Sequence, residues 1–274
     1  MSNRPRLSVS TWSLHRLLGP VYWDSPANPN RLAEEPYGPG CMTLLEVPQK
    51  IAKLDIRTLE ICHFHLPSRD TAYLNDLRAA LDEAGVELFS LLIDDGDITH
   101  PEHQTRDLNW ICGWLDTAAA LGARCARVIA GKTVDADALE RSKAVMRQLA
   151  AVAEANHVRL MTENWFALLS TPEAVHSLLD ALDGRLGLCV DFGNWKRLTK
   201  YEDLARIMPR AESCHAKCSF AAPMEPDTED FLHCLDIAAE AGFSGPFTLI
   251  YDGPGDDEWD GIRLERQLVL PYTQ

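Results

Sequence analysis

The second half of the chain contains three short apolar runs that each end in a side chain able to bind a divalent metal: Val158-Arg159-Leu160-Met161-Thr162-Glu163, Leu186-Gly187-Leu188-Cys189-Val190-Asp191 and Ala211-Glu212-Ser213-Cys214-His215. The three end residues are 28 and 24 positions apart, about one strand-plus-helix unit of a parallel α/β chain. Active sites of such folds lie at the carboxyl ends of their parallel strands. The sequence therefore predicts that Glu163, Asp191 and His215 form one metal site.

Strand-like and helix-like patterns alternate about eight times along the chain. The predicted strands are Leu7 to Thr11, Thr58 to Phe64, Val86 to Ile93, Cys125 to Ala130, Phe247 to Tyr251 and the three runs above. The predicted helices are Leu74 to Ala84, Leu108 to Leu121, Ala138 to Ala155, Pro172 to Leu182 and Asp230 to Ala241. Repeated strand–helix units imply parallel pairing, so the pattern predicts an α/β fold, a single (β/α)8 TIM barrel domain over residues 1–274.

The first strand-to-helix connection is unusually long. Gly19 to Gly40 contains five prolines and several aromatic residues, and Trp12 lies close before it. Long loops on the catalytic face of a barrel usually cover or shape the site. We therefore expect a lid over the catalytic face, with Trp12 and Trp23 touching substrate; the alternative is a surface excursion with a few packed aromatics.

Composition restricts the classes of function. The chain has 274 residues and a formal net charge of −15, so its surface would repel a phosphate backbone, and general nucleic-acid binding is disfavoured. No apolar stretch approaches the roughly 18 residues that span a membrane, and a cytoplasmic location is the expectation. Eight cysteines without a C-x-x-C pair indicate reduced, buried thiols. Strand alternation directs Cys214 and Cys218 toward the helices, and His215 and Lys217 toward the barrel centre.

The three donors indicate a catalytic metal. A mixed carboxylate–imidazole set suits Mn²⁺ best, with Mg²⁺, Co²⁺ or Zn²⁺ as alternatives. Three protein ligands leave positions for a substrate carbonyl and its neighbouring hydroxyl, and chelation would acidify the adjacent C–H. Lys217 could then stabilise the resulting enediolate. Its other interpretation is a salt bridge to Glu163 or Asp191 inside the barrel.

Neighbouring side chains complete the predicted substrate site. Amides beside the ligands commonly orient ligands or hydroxylated substrates, and indoles give apolar walls for sugar rings. In the second strand, alternation turns one carboxylate inward, and two histidines follow near the strand end. These candidates are Asn164, Trp165, Asn194, Trp195, Glu60, His63 and His65. The amides and indoles could equally serve loop capping and core packing.

These motifs resemble one superfamily. Thr162-Glu163-Asn164-Trp165, Asp191-Phe192-Gly193-Asn194-Trp195, His215-Ala216-Lys217, Leu59-Glu60-Ile61-Cys62-His63-Phe64-His65-Leu66 and Arg127-Val128-Ile129-Ala130-Gly131 are similar to the strand ends of the sugar phosphate isomerase/epimerase superfamily, the xylose-isomerase-like barrels. The resemblance covers most of the chain. It implies a divalent-metal site with Glu163, Asp191 and His215 as ligands. The superfamily includes ketose epimerases, hydroxypyruvate isomerases, inosose and dehydroshikimate dehydratases, and apurinic-site endonucleases.

The eighth strand departs from this pattern. Members that epimerise ketoses usually carry a glutamate there as fourth ligand and second base, and alignment places Ile250 at that position. Asp252 follows on the same strand face, about 6.5 Å further along by strand rise. We expect Asp252 to replace the missing glutamate as ligand and base. Without that replacement, Glu163 or Lys217 would transfer the proton alone, which favours isomerisation or elimination over two-base epimerisation.

The sequence thus predicts a metal-dependent enzyme that isomerises, epimerises or dehydrates a small sugar, keto-polyol or related hydroxy-carbonyl compound. One alternative is a catalytically inactive sugar-binding barrel. Another is an apurinic-endonuclease-type metal phosphodiesterase, which would need more histidines at strand ends and a basic groove. The expected partner is a small-molecule sugar or polyol, and the oligomeric candidates are a homo-dimer and a homo-tetramer.

Overall fold

The computed structural model describes residues 4–255 and 257–273, apart from the side chains of residues 29–32. The strands are β1 Arg6–Ser10, β2 Val21–Ser25, β3 Asn28–Glu34, β4 Thr58–Cys62, β5 Glu87–Ile93, β6 Cys125–Val128, β7 Arg159–Glu163, β8 Gly187–Asp191, β9 Ala211–Lys217, β10 Phe220–Ala222, β11 Glu225–Pro226 and β12 Pro246–Ile250. The α-helices are α1 His15–Leu18, α2 Val47–Ala52, α3 Thr71–Ala84, α4 Gln104–Leu121, α5 Ala138–Ala155, α6 Pro172–Asp180, α7 Lys200–Ile207, α8 Thr228–Glu240 and α9 Glu258–Val269.

Eight parallel strands form a closed barrel in the order β1, β4, β5, β6, β7, β8, β9 and β12, and β12 pairs with β1 to close it. The predicted (β/α)8 TIM barrel is therefore confirmed. One domain over residues 1–274 stays a prediction, since residues 1–3, 256 and 274 lie outside the described range. No helix within that range has the length and apolarity needed to cross a bilayer, and the cytoplasmic location stays a prediction.

Apolar residues pack on both sides of the barrel wall. Outward-facing strand residues pack against the helices in one large cluster, which includes Cys214, Ala216 and Cys218 as expected. Inside the barrel, Phe89, Cys125, Met161 and Cys189 form a separate buried cluster below the catalytic face. All eight cysteines are free thiols, which agrees with the predicted reduced state.

The long first connection contains an antiparallel hairpin rather than an irregular loop. β2 and β3 pair from Val21 with Glu34 to Ser25 with Asn28. The helix α1, which precedes the hairpin, is held by the last helix, because the Glu258 carboxylate accepts hydrogen bonds from the backbone N–H groups of Arg16 and Leu17, both at 2.9 Å. Glu258 is fully buried, so this contact connects the first and last barrel units in a position that excludes water.

A second buried acid, Glu265 in α9, is fully excluded from solvent. Burial raises the pKa of Glu265 well above its usual value, and the Cys218 N–H and Lys217 offset this only in part. The folded state thus binds a proton that the unfolded state releases above about pH 4.5. The proton on Glu265 therefore contributes its full stabilisation at low pH. This stabilisation is lost as pH rises through the folded-state pKa.

We predict that Glu265→Gln raises the free energy of unfolding at pH 8, because the neutral amide removes the buried charge that the parent protein must either carry or neutralise by binding a proton. The difference from the parent protein should shrink toward pH 5. Urea unfolding between pH 5 and 9 measures both effects. Glu240→Gln, at an exposed site on α8, is the matched control. Equal pH slopes for the parent and Glu265→Gln would contradict the assignment.

Candidate functional site

A cavity of about 330 Å³ opens at the carboxyl ends of the barrel strands; we call it the inner cavity. Eight residues of its lining were predicted as site residues: Trp12, Trp23, Glu163, Trp165, Asp191, Asn194, His215 and Lys217. The rest of the lining is Ser10, Cys62, Phe64, Leu92, Asp94, Arg127 and Ile250. An adjoining outer cavity of about 630 Å³ is lined by Trp165, Phe166, Ala167, Ser170, Gly193, Asn194, Trp195, Lys196, Lys217, Cys218, Ser219, Phe220 and Asp252. Trp165, Asn194 and Lys217 line both cavities.

The three predicted donors converge at the bottom of the inner cavity. The Nδ1 atom of His215 lies 3.4 Å from Oε2 of Glu163 and 3.6 Å from Oδ2 of Asp191. All three side chains are buried. They meet because β7, β8 and β9 are neighbours in the barrel, and each donor lies at an inward-facing position of its strand.

Each donor directs one nitrogen or oxygen atom toward this centre. Its second nitrogen or oxygen atom contacts a neighbouring polar group. Nε2 of His215 lies 2.8 Å from the Glu60 carboxylate. The amide of Asn194 donates to Oε1 of Glu163 at 2.6 Å, and Oδ1 of Asp191 accepts from the N–H groups of Gly193 and Asn194. Partners of this kind orient metal ligands, and a carboxylate on the second histidine nitrogen is typical of metal sites.

A buried thiol lies one layer below the donors. Cys189 precedes Asp191 by two positions and faces the same side of β8. Single ligand atoms of Glu163, Cys189 and His215 lie within 4.8 Å of one another. Burial raises the pKa of the Cys189 thiol. A set that included this sulfur would suit Zn²⁺, whereas the Asp191 oxygen suits the harder Mn²⁺ or Mg²⁺.

The sequence analysis missed Arg127 as a site residue. On β6 its guanidinium lies 2.6 Å (Nη1) from Asp94 and 3.1 Å (Nε) from Glu163, and the ring of Trp165 is 5.3 Å away. Burial alone would raise the pKa of Glu163, but Arg127 and His215 lower it to about 2. The detectable signal was an arginine at an inward position of a short, otherwise uncharged strand.

The centre holds an excess of negative charge. Four carboxylates, of Glu60, Asp94, Glu163 and Asp191, surround two cationic groups, Arg127 and His215. Burial alone would lower the pKa of His215, but acidic neighbours raise it well above its usual value. Even with His215 protonated, two negative charges remain unbalanced, and buried charge of this kind is costly. The residues present therefore fit a divalent cation.

The eighth strand differs from the sequence expectation. Ile250 lines the inner cavity, whereas Asp252 lines the outer cavity and pairs with Lys217, at 2.8 Å between Oδ2 and Nζ. Asp252 comes after the strand ends at Ile250 and is not in the lining of the inner cavity, so its role as a fourth ligand stays a prediction. Gly193 gives the Lys217 stem room to reach it, since a Cβ there would approach Lys217 to 2.9 Å. Lys217 thus makes a salt bridge, but to neither expected partner.

Two predicted substrate contacts in the second strand are not at the cavity. The chain leaves β4 at Cys62 and turns into a 3-10 helix, which buries His63 and His65 outside the lining of the inner cavity. His63 Nδ1 accepts from the Asp94 N–H, and the ring packs on Trp110 and Trp114. His65 contacts the Thr11 hydroxyl, and burial lowers its pKa to about 3.

Two further candidates have structural contacts. Asn164 is fully buried, and its amide donates to the Asp191 carbonyl and accepts from the Asp191 N–H, which joins β7 to β8. Trp195 is buried, lines only the outer cavity and donates to the Leu169 carbonyl. The core-packing interpretation therefore describes their contacts better than substrate binding.

The hairpin reaches the inner cavity through one residue. Trp23 is 41% exposed, lines the cavity and packs against Phe64 with ring centroids 4.7 Å apart. Trp12 lines the same wall and contacts Phe64 edge-on at 6.1 Å. Tyr37 instead packs on His15 at 4.2 Å. This arrangement agrees with a lid, formed by the hairpin, over the catalytic face.

Comparisons with known proteins agree with this fold. The family model described as xylose isomerase-like TIM barrel matches residues 48–267. Among curated protein sequences, none matches the chain.

Solved structures of similar fold include a D-psicose 3-epimerase from Clostridium cellulolyticum H10 with D-tagatose, at 16% identity and a TM-score of 0.68, covering 97% of this chain and 98% of that one. A xylose isomerase-like TIM barrel protein from Mycobacterium smegmatis in complex with magnesium is 15% identical, with a TM-score of 0.70 and coverages of 100% and 98%. An L-ribulose 3-epimerase is 13% identical, with a TM-score of 0.71 and coverages of 98% and 94%. At these identities the likeness establishes the fold.

The Glu60–His215 contact generates a prediction. Glu60→Gln should weaken Mn²⁺ binding by about 10- to 100-fold, the usual effect of removing the partner of a ligand. Isothermal titration with Mn²⁺ measures the dissociation constant. Glu87→Gln, the same change at the amino end of β5, is the matched control and should bind as the parent does. An unchanged affinity in Glu60→Gln would show that the contact only packs the barrel.

Proposed function

Since this chain belongs to the xylose isomerase-like TIM barrel family, we propose that it is a divalent-metal-dependent enzyme that isomerises or dehydrates a small sugar, keto-polyol or related hydroxy-carbonyl compound. The observation that carries the proposal is the convergence of Glu163, Asp191 and His215 around an excess of negative charge. The three structural relatives support it further, since two are sugar epimerases and one contains magnesium.

Glu163, Asp191 and His215 would hold the metal, with Mn²⁺ favoured and Mg²⁺, Co²⁺ or Zn²⁺ as alternatives. When bound, such an ion polarises a carbonyl and makes the neighbouring C–H more acidic. Glu60 and Asn194 orient the ligands, so their side chains need little rearrangement when metal and substrate bind.

The chain's own residues would move the proton. Glu163 lies at the centre, and its carboxylate can take the proton from the carbon beside the carbonyl. Lys217 lines the same cavity, and Asp252 fixes its ammonium group from the outer side. Lys217 would donate a hydrogen bond to the substrate oxygen that gains negative charge, which stabilises the transition state.

The absence of an acidic residue at position 250 limits the types of reaction that the site can catalyse. Ile250 lines the inner cavity where an epimerase of this superfamily would place a second base. Inversion at one carbon needs a base on one face of that carbon and a proton donor on the opposite face. Proton transfer between neighbouring carbons, or loss of a hydroxyl group from the same side as the proton, can use groups on one face only. We therefore favour isomerisation or dehydration over two-base epimerisation.

The hairpin would complete the site. Trp23 and Trp12 provide an apolar wall beside the donors, and a substrate seated there would be shielded from water. The apurinic-endonuclease alternative is disfavoured, because within residues 4–255 and 257–273 the candidate metal group contains a single histidine. The inactive sugar-binding barrel remains the second candidate, and metal content separates it from the enzyme.

The first test of the proposal concerns metal content. Asp191→Ala should lower the affinity for Mn²⁺ by well over 100-fold, because it removes a direct ligand rather than an orienting partner. Elemental analysis after Mn²⁺ loading and desalting measures occupancy. Asp82→Ala, at an exposed position on α3, is the matched control. Full occupancy in the Asp191→Ala protein would exclude the assigned centre.

The second test separates the roles of Lys217 and Asp252. On a panel of ketoses and inososes, Lys217→Met should lower kcat by about 10²- to 10⁴-fold, as removal of a proton-transfer or charge-stabilising group does. Asp252→Asn should lower kcat less, since it only orients Lys217. Both proteins should keep full metal content. Loss of metal in Asp252→Asn would instead identify Asp252 as the fourth ligand.

A further inference from the structure

The two cavities together are larger than one small sugar requires. The inner cavity of about 330 Å³ already falls within the range of small-molecule sites, and the outer cavity of about 630 Å³ continues from it past Trp165 and Lys217. A ligand whose reactive carbonyl lies at the metal centre can therefore extend into the outer cavity.

Phe166, in the lining of the outer cavity, has a strained backbone conformation. Its φ is 56° and its ψ is 174°, a conformation that is essentially restricted to glycine and costs about 1 to 3 kcal/mol for other residues. The side chain is 37% exposed, so core packing does not account for the strain. Its ring instead packs on Trp165, with centroids 4.4 Å apart, and lines the outer cavity. Strain of this kind concentrates at functional sites.

The rest of the outer lining favours a hydroxylated ring as the occupant. Phe220 adds a second aromatic surface, while Ser170, Ser219 and Asp252 add hydrogen-bonding groups. Lys196 is exposed and has no ion pair within the described part of the chain. Exposed aromatic faces pack on the C–H faces of sugar rings, and the polar groups pair with hydroxyls. A purely apolar group would make no use of the Lys196 ammonium and the Ser219 hydroxyl, whereas Ser170 and Asp252 already have partners in the Ala167 carbonyl and Lys217.

We propose that the substrate is a keto-sugar joined by a glycosidic bond to a second sugar ring, which binds against Phe166 in the outer cavity. The inference rests on the proposed function, since the first ring occupies the metal centre. It assigns Phe166 as a specificity residue that contacts the second ring and takes no part in proton transfer.

The probes are D-fructose and three disaccharides that attach glucose to fructose at O3, O4 or O6: turanose, maltulose and isomaltulose. Isothermal titration with the Mn²⁺-loaded protein measures each dissociation constant. At least one disaccharide should bind ten or more times tighter than D-fructose. Phe166→Gly removes the ring and suits the backbone conformation, so the protein should stay folded in thermal unfolding. It should reduce that advantage to within twofold and leave D-fructose binding unchanged.

Leu198→Ala is the control, since Leu198 is fully exposed and lies outside both cavity linings. It should retain the disaccharide advantage. Equal binding of D-fructose and all disaccharides by the parent, or an advantage that survives in Phe166→Gly, would overturn the inference while the proposed function stands. Failure of all four sugars to bind would overturn the inference, whereas metal content and turnover of the ketose and inosose panel decide the proposed function separately.

Discussion

The placement of charge inside the closed barrel is the constraint on which the site depends. The carboxylates of Glu60, Glu163 and Asp191 converge on one imidazole, that of His215, and water has little access to them. An enclosed centre cannot keep such an excess of negative charge without a counterion or bound protons. Arg127 balances part of it through Glu163 and Asp94. The negative charge that remains is the reason we propose a divalent cation at this centre.

Much of the fold follows from periodicity in the sequence. Each predicted barrel strand overlaps an observed one, and α5 has the predicted bounds Ala138–Ala155. The helix α6 begins at a capping residue, Thr171, whose hydroxyl accepts from the Ala174 N–H. The helices α1, α2, α7 and α9 were not predicted, although α7 and α9 have clear apolar faces. The hairpin of β2 and β3 was missed because turn-forming residues obscure its short alternation.

The candidate site was predictable where it depends on strand position and not where it depends on distance across the barrel. Glu163, Asp191 and His215 follow from the ends of three neighbouring strands. Contacts such as Arg127 to Glu163 join different strands, and strand pattern alone does not give their geometry. The histidines after β4 were misplaced because the chain turns at Cys62, which alternation does not foresee. Asp252 lies beyond the end of its strand, at the outer cavity, and only the structure shows that Lys217 is its partner.

The contact between Glu258 and the first turn of the chain has a consequence for biosynthesis. The N–H groups of Arg16 and Leu17 leave the ribosome well before the carboxylate that accepts their hydrogen bonds, which is some 240 positions later in the sequence. The pairing of β1 with β12 has the same delay. The helix α1 therefore cannot make its final contacts until the last barrel unit has been synthesised. Docking of α9 completes the fold, and a chain that ended before α9 would leave two N–H groups of α1 without their acceptor.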